Sequence, residues 1–138
     1  MFKILALDPG DKHIGIAISD ELRIIATPYR TINPPDLINF LTKIITTEQI
    51  NTIVIGLPKT MRGTNSQQTE KSISLKTDLE KIFPSLKLIL WDERLSSKRA
   101  NEIKRPKNKP DKLHQHSIAA ATILQTYLDG LSMFENID

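Results

Sequence analysis

Residues 2–20, FKILALDPGDKHIGIAISD, decide the fold. Phe2–Asp8 is a mainly apolar run without clean alternation, the pattern of a strand buried on both faces. Pro9-Gly10-Asp11-Lys12 is a cluster of turn-forming residues, and His13–Ser19 alternates well enough to predict a second strand antiparallel to the first. Asp8 closes the first strand, and in open α/β sheets ligands bind beyond the carboxyl ends of strands. Gly10 permits a tight turn, while Gly15 lets a backbone or a phosphate approach the second strand. Asp-x-Gly is equally an ordinary turn signature, so on this stretch alone Asp8 as a site residue and Asp8 as a turn residue stand level.

Working outward, Ile24–Thr31 predicts a third strand. Pro34-Pro35-Asp36 opens a helix that places Leu37, Phe40, Leu41, Ile44 and Ile45 on one face. Thr52–Leu57 (TIVIGL) is a short buried strand, followed by a polar loop over Lys59–Gln67. A long helix runs through Phe83 with Leu75, Leu79 and Ile82 on one side, Pro84 ends it, and Leu86–Leu90 forms the next strand. Ser96–Lys104 reads as a short helix, Pro106–Pro110 as a basic loop and Lys112–Leu131 as the last helix. The order β-β-β-α-β-α-β-α-α predicts an α/β fold, a mixed five-stranded sheet flanked by helices, in a single domain over residues 1–138.

The chain has no cysteine, which excludes disulfides and thiolate metal sites and suits a reducing compartment. It shows neither a secretory leader at its start nor an apolar run of membrane-spanning length, so the expected location is cytoplasmic. The net charge of +3 is concentrated in one place. Lys98, Arg99, Lys104, Arg105, Lys107, Lys109 and Lys112 face only Glu102 and Asp111, which makes that segment +5 and leaves −2 for the remainder. A basic arm on an acidic body suits a polyanionic partner, although a charge run taken alone is more often a solvated face.

The second strand-end acid is Glu93, in LKLILWDER. Two carboxylates at neighbouring strand ends repel unless a cation lies between them, which outlines a metal site with Asp8. Asp92 and Glu93 are adjacent, so on an extended backbone only one of them can face Asp8. On the last helix His116 shares a stripe with Ala120, Ile123, Leu124, Tyr127 and Leu131, at the stripe's N-terminal end. The positive end of the helix dipole disfavours an imidazolium there and leaves the ring free to ligate. A lone His on an apolar face is more often a hydrogen-bonded core residue, and Asp111 competes for the third position but looks like a helix cap. The Gly56-Leu57-Pro58 and Met61-x-Gly63 turn lacks the P-loop lysine; it offers backbone N–H groups to phosphate or is an ordinary connection.

Four pieces in order are more specific than any one of them. Asp8-Pro-Gly with Gly15-Ile-Ala-Ile-Ser-Asp20, Gly56-Leu-Pro with Met61-Arg-Gly63, Asp92-Glu-Arg-Leu-Ser96 and Ala119–Leu128 resemble the YqgF family from about residue 3 to 129. The resemblance implies an RNase H-like fold and a nuclease maturing the 5′ end of pre-16S ribosomal RNA, in a family earlier described as RuvC-like Holliday-junction resolvases. It further implies that Asp8 and Glu93 are catalytic carboxylates binding a divalent metal, Mg²⁺ or Mn²⁺. Where the family has an Asp opening the last helix, this chain has His116, which takes the third catalytic and metal-binding place and favours Mn²⁺. The basic residues Lys98 to Lys112 would hold nucleic acid, precursor rRNA ahead of branched DNA, near the ribosomal subunit, in a monomer or weak homodimer. The alternatives are a resolvase acting on DNA junctions and a non-catalytic RNA- or ribosome-binding module. An actin-like ATPase is disfavoured because those enzymes clamp nucleotide between two such domains and 138 residues supply one.

Overall fold

The computed structural model describes residues 2–57, 67–92 and 112–135. Five strands form one mixed sheet in the order β3-β2-β1-β4-β5. They are β1 (Lys3–Asp8), β2 (Ile14–Ser19), β3 (Ala26–Ile32), β4 (Ile50–Leu57) and β5 (Lys87–Asp92). The first three form an antiparallel meander, and β1, β4 and β5 run parallel, joined through helices. The helices are α1 (Leu37–Thr47), α2 (Gln67–Ile82) and α3 (Lys112–Glu135).

Strand alternation divides the core in two. Ile4, Ala6, Ala17 and Val54 meet Ala120, Ala121, Ile123, Leu124, Tyr127 and Leu128 of α3 on one face. Small residues on both sides of this layer let the helix lie close to the sheet. Leu5, Leu7, Ile16, Ile53 and Ile55 pack on the other face against Leu37, Leu41 and Ile44 of α1 and Leu79 of α2. Each fully buried Leu or Ile contributes roughly 1.5–3 kcal/mol, so the two layers supply the main stabilisation. Trp91 anchors β5 to α3: its ring stands edge-on to Tyr127 at 5.1 Å, and Nε1 donates to Thr126 Oγ1 at 2.7 Å.

Several boundaries differ from the sequence expectation. β3 begins at Ala26 rather than Ile24, because the Asp20 carboxylate accepts the Ile24 and Ile25 N–H groups at 2.7 and 3.0 Å. Burial pushes the Asp20 carboxyl up, but these backbone donors outweigh it and hold its pKa below the ordinary value. β4 begins at Ile50 rather than Thr52, since α1 ends at Thr47 and the left-handed Gln49, with φ 55°, turns the chain straight into the strand. Pro34–Asp36 is a 3₁₀ turn ahead of α1 rather than part of it. Ile82, expected on the buried face of α2, is exposed, and Phe83 packs against the core instead. The last helix runs four residues beyond Leu131, to Glu135. The helix expected over Ser96–Lys104 and the loop expected over Pro106–Pro110 lie outside the described residues, as does the loop expected over Lys59–Gln67 except for Gln67, which opens α2. Among the described residues no helix is long and apolar enough to cross a membrane.

Candidate nucleic-acid-processing site

Asp8 is the last residue of β1 and continues the alternation of Ile4 and Ala6, so it belongs to the α3 face of the sheet. Its partner on β2 is Gly15. A Cβ on Gly15 would collide with the backbone carbonyl of His116 and stand 3.0 Å from the Ser117 nitrogen. The glycine therefore admits a helix backbone, the first of the two possibilities its sequence position allows. This seats the second turn of α3 directly on the strand beside Asp8. Ser117 is buried there, its hydroxyl donating to the His114 carbonyl at 2.9 Å. His116 is half-buried, at the end of a stripe whose other members, Ala120, Ile123, Leu124 and Tyr127, are core.

The β1–β2 turn adds a residue that sequence reasoning missed. The His13 ring lies with its centroid 5.2 Å from that of His116, the planes inclined at 49°. Its Nδ1 is buried and has no hydrogen-bond partner among the described residues. Gly10 shapes this turn, since a Cβ there would lie 2.6 Å from the His13 carbonyl oxygen. Asp11 forms a solvent-exposed ion pair with Lys71 of α2, a tether of small energetic weight. The available signal for His13 is its position two residues before Gly15, which gives both the same face of the strand.

On β5, Ile89 and Trp91 pack on the α3 side while Leu88 and Leu90 pack on the other. Asp92 therefore falls on the α1–α2 side and is not the acid that shares a face with Asp8. Glu93 follows it and lies outside the described residues, as do Lys98, Arg99, Lys104, Arg105, Lys107 and Lys109. Lys112 opens α3, but its side chain is outside the described part. Among the described residues no three His, Asp or Glu side chains form a ready metal cage. What the described residues do bring together here is the His13–His116 ring contact. Gly56, whose carbonyl accepts the buried Ser72 hydroxyl at 3.0 Å, ends on the same sheet edge; Met61 and Gly63 are outside the described residues.

Comparison with known proteins gives this edge its context. The family model described as "RuvX: Holliday junction resolvase" matches residues 2–130. The chain belongs to the RuvX family. This is the YqgF group that its motifs resemble. Relatives from Staphylococcus epidermidis strain RP62A and Staphylococcus saprophyticus are 41% and 39% identical, each match covering 94% of this chain and 96% of the relative. One from Christiangramia forsetii is 36% identical over 93% of this chain and 98% of its own length. All three carry the name "Putative pre-16S rRNA nuclease". Among solved structures, Thermus thermophilus RuvC in complex with a Holliday junction superposes with a TM-score of 0.64 at 13% identity, covering 96% of each chain. The yeast mitochondrial resolvase Ydc2 gives 0.59 at 10% identity, covering 97% of this chain and 80% of its own. At that identity the likeness shows the fold, which is RNase H-like as the motifs implied.

Proposed function

We propose that this RuvX-family chain is a divalent-metal-dependent nuclease that hydrolyses phosphodiester bonds of precursor 16S ribosomal RNA at its 5′ end, in the cytoplasm. The carrying observation is the meeting of Asp8, at the end of β1, with the α3 turn bearing His116 across Gly15. Asp8 and His116, with Glu93 as the next odd-numbered residue after Ile89 and Trp91, would hold the cation. The fit rests on the donor set: a strand-end carboxylate and a half-buried imidazole on one face suit Mn²⁺ or Mg²⁺. When bound, such a cation supplies an activated water and neutralises charge at the phosphorus.

The protein's own residues do the rest. Asp8 would present its carboxylate to the cation from the central strand of the sheet, and seating on Gly15 would keep the α3 turn that bears His116 in place beside it. The basic arm, Lys98, Arg99, Lys104, Arg105, Lys107, Lys109 and Lys112, grips backbone phosphates with little sequence preference. A second reading, resolution of four-way DNA junctions, is favoured by the description of the matching family model. It calls for a dimer, because two strands must be cut symmetrically. Incubating the protein with precursor 16S RNA, a four-way junction and single-stranded controls, each with Mg²⁺ and with Mn²⁺, separates the two. Asp8→Asn should abolish metal-dependent cleavage while leaving the melting temperature close to wild type; full activity in that variant would sink the proposal.

A further inference from the structure

β3 is an edge strand, and its middle is irregular. Ile16 of β2 pairs with Arg30 and the next residue, Ala17, with Pro28, so Tyr29 is an extra residue in the bulge. Consecutive side chains of a regular strand point to opposite faces. A bulge re-aims them, and here the Arg30 guanidinium carbon lies 5.8 Å from the centroid of the Tyr29 ring. It lies 5.6 Å from that of Phe40 on α1, and the two rings are 6.1 Å apart, inclined at 55°. Phe40 packs against the buried cluster behind it, whereas Tyr29 is 42% exposed. A single exposed tyrosine is ordinary on a protein surface. This one is bulged out beside a second ring and an exposed arginine, and among the described residues no ion pair joins Arg30 to a carboxylate. Pro28 and the bulge also spoil this edge for pairing with a strand of a second copy, since both interrupt the ladder.

We propose that Tyr29, Arg30 and Phe40 form a subsite for single-stranded RNA, where an unpaired base of the substrate stacks on the Tyr29 ring and Arg30 holds the adjoining phosphate. The inference takes its choice of RNA from the nuclease reading above and deepens that reading by placing a flank of the substrate. Exposed aromatic rings and arginine planes take up the splayed bases of single strands, whereas the bases of a duplex offer no free face. The position suits this role. Asp8 pairs with Gly15 and Gly15 with Thr31, so the residue next to Arg30 lies in one row with Asp8 across three strands. At about 4.8 Å between strands, the row puts the Thr31 backbone roughly 10 Å from that of Asp8. A strand whose reacting phosphate lies at Asp8 therefore reaches the subsite within a few nucleotides. On α1, Asp36 lies one turn before Phe40 and Lys43 one turn after it. Those two charges offset, so the attraction for phosphate comes from Arg30.

The probe is a short, labelled single-stranded RNA of mixed sequence, with an RNA duplex of the same sequence as control, bound to the full-length protein in EDTA so that nothing is cleaved. By fluorescence anisotropy Tyr29→Ala should weaken single-strand binding about 5- to 100-fold, while Tyr29→Phe, which keeps the ring, should bind as wild type does. Arg30→Gln should weaken it too, and should lower the slope of log affinity against log salt by about 0.7. Duplex binding should be unchanged in Tyr29→Ala. Wild-type single-strand affinity and salt slope in Tyr29→Ala and Arg30→Gln would overturn the inference, and so would an equal loss for the duplex in Tyr29→Ala. Neither result touches the nuclease reading, which is judged by metal-dependent cleavage and its loss in Asp8→Asn. If cleavage is absent but Tyr29→Ala still weakens single-strand binding selectively, the nuclease reading falls and the subsite stands. A readout independent of variant folding is the Tyr29 ring proton signals of wild-type protein. They should move upfield on adding the single strand, and stationary signals overturn the inference.

Discussion

Gly15→Ala tests whether the close approach of α3 to β2 builds the site. The added Cβ would overlap the His116 carbonyl oxygen and stand 3.0 Å from the Ser117 nitrogen. Both obstacles are backbone atoms within a helical turn, so neither can swing aside as a side-chain tip would. Non-bonded atoms settle at about 3.5–4.0 Å, which requires that turn of α3 to withdraw by about 1.5–2 Å. Overpacking of this size costs about 1–3 kcal/mol. For a 138-residue chain that lowers the melting temperature by roughly 3–10 °C. The same withdrawal carries His116 away from Asp8, and a misplacement of about 1 Å at a reacting centre costs on the order of 100-fold in rate. The assay is paired: scanning calorimetry for stability, and cleavage of precursor 16S RNA with Mn²⁺ at a temperature where both proteins are folded. An alanine variant that melts with wild type and cleaves at the full rate would refute the reasoning.

Gly130→Ala is the opposite case, since its Cβ would meet only the Trp91 ring edge, at 3.5 Å, within the long helix α3; it should raise stability by about 0.5–1 kcal/mol, read as an upward shift in melting temperature. Asp20→Asn should destabilise by about 1–2 kcal/mol at neutral pH, because the neutral amide is a poorer acceptor for the Ile24 and Ile25 N–H groups. The folded-state pKa of Asp20 lies below its ordinary value, so its contribution is present above the unfolded pKa and disappears as pH falls through the folded one. Urea titrations of wild type and Asp20→Asn should accordingly converge only at strongly acidic pH, and a constant gap would contradict this. Replacing Lys104, Arg105 and Lys107 by Gln should reduce the salt dependence of single-stranded RNA binding by a slope of about 2, measured by fluorescence anisotropy across KCl concentrations.

The sheet and its two-sided core are legible in the sequence because β1 and β4 are apolar on both faces and their carboxyl ends carry abrupt polar or glycine signals. Gly15 is legible as a point of close approach, but not what approaches, because its obstacle is a backbone about a hundred residues away. Boundaries fail where a side chain or an uncommon backbone conformation replaces the usual punctuation. Gln49 adopts the left-handed region in place of a glycine, and the Asp20 carboxylate takes two N–H groups that would otherwise look like strand. At the site, Asp8 and His116 are readable from strand end and helix stripe. His13 is not, because the ring meets His116 only after the helix docks. Glu93 as Asp8's partner is a proposal that rests on the sequence motif, whereas alternation within β5 excludes Asp92 from that face on physical grounds alone.

The two ends of the sheet divide the labour. At the end where β1 begins, backbone and side-chain groups are paired off: Lys3 N–H with the Gln49 carbonyl at 2.9 Å, and Ile4 N–H with the Ser19 hydroxyl at 2.8 Å. Arg23 donates there to the Phe2 carbonyl at 3.0 Å and to Asn51 Oδ1 at 3.3 Å. Gln125 of α3 accepts the Ala26 N–H and donates to the Ile24 carbonyl, both at 2.9 Å, stitching the helix to the β2–β3 turn. These satisfied bonds fix the far end of α3 and so give its near end a firm lever. At that near end stand Asp8, His13 and His116, with an orphaned ring nitrogen. β4 and β5 also end there, and α3 begins there, so the chain leaves and re-enters the described core at this edge over 58–66 and 93–111, the second span bearing most of the basic arm. A fold that secures one end and concentrates its half-buried carboxylate and imidazoles at the other predicts a clean separation of variants. Changes at Asp20, Arg23 or Gln125 should move the melting temperature far more than cleavage, and changes at Asp8 or His116 should do the reverse. A variant of Gln125 that melts like wild type yet loses cleavage would mean that the far end takes a direct part in the chemistry.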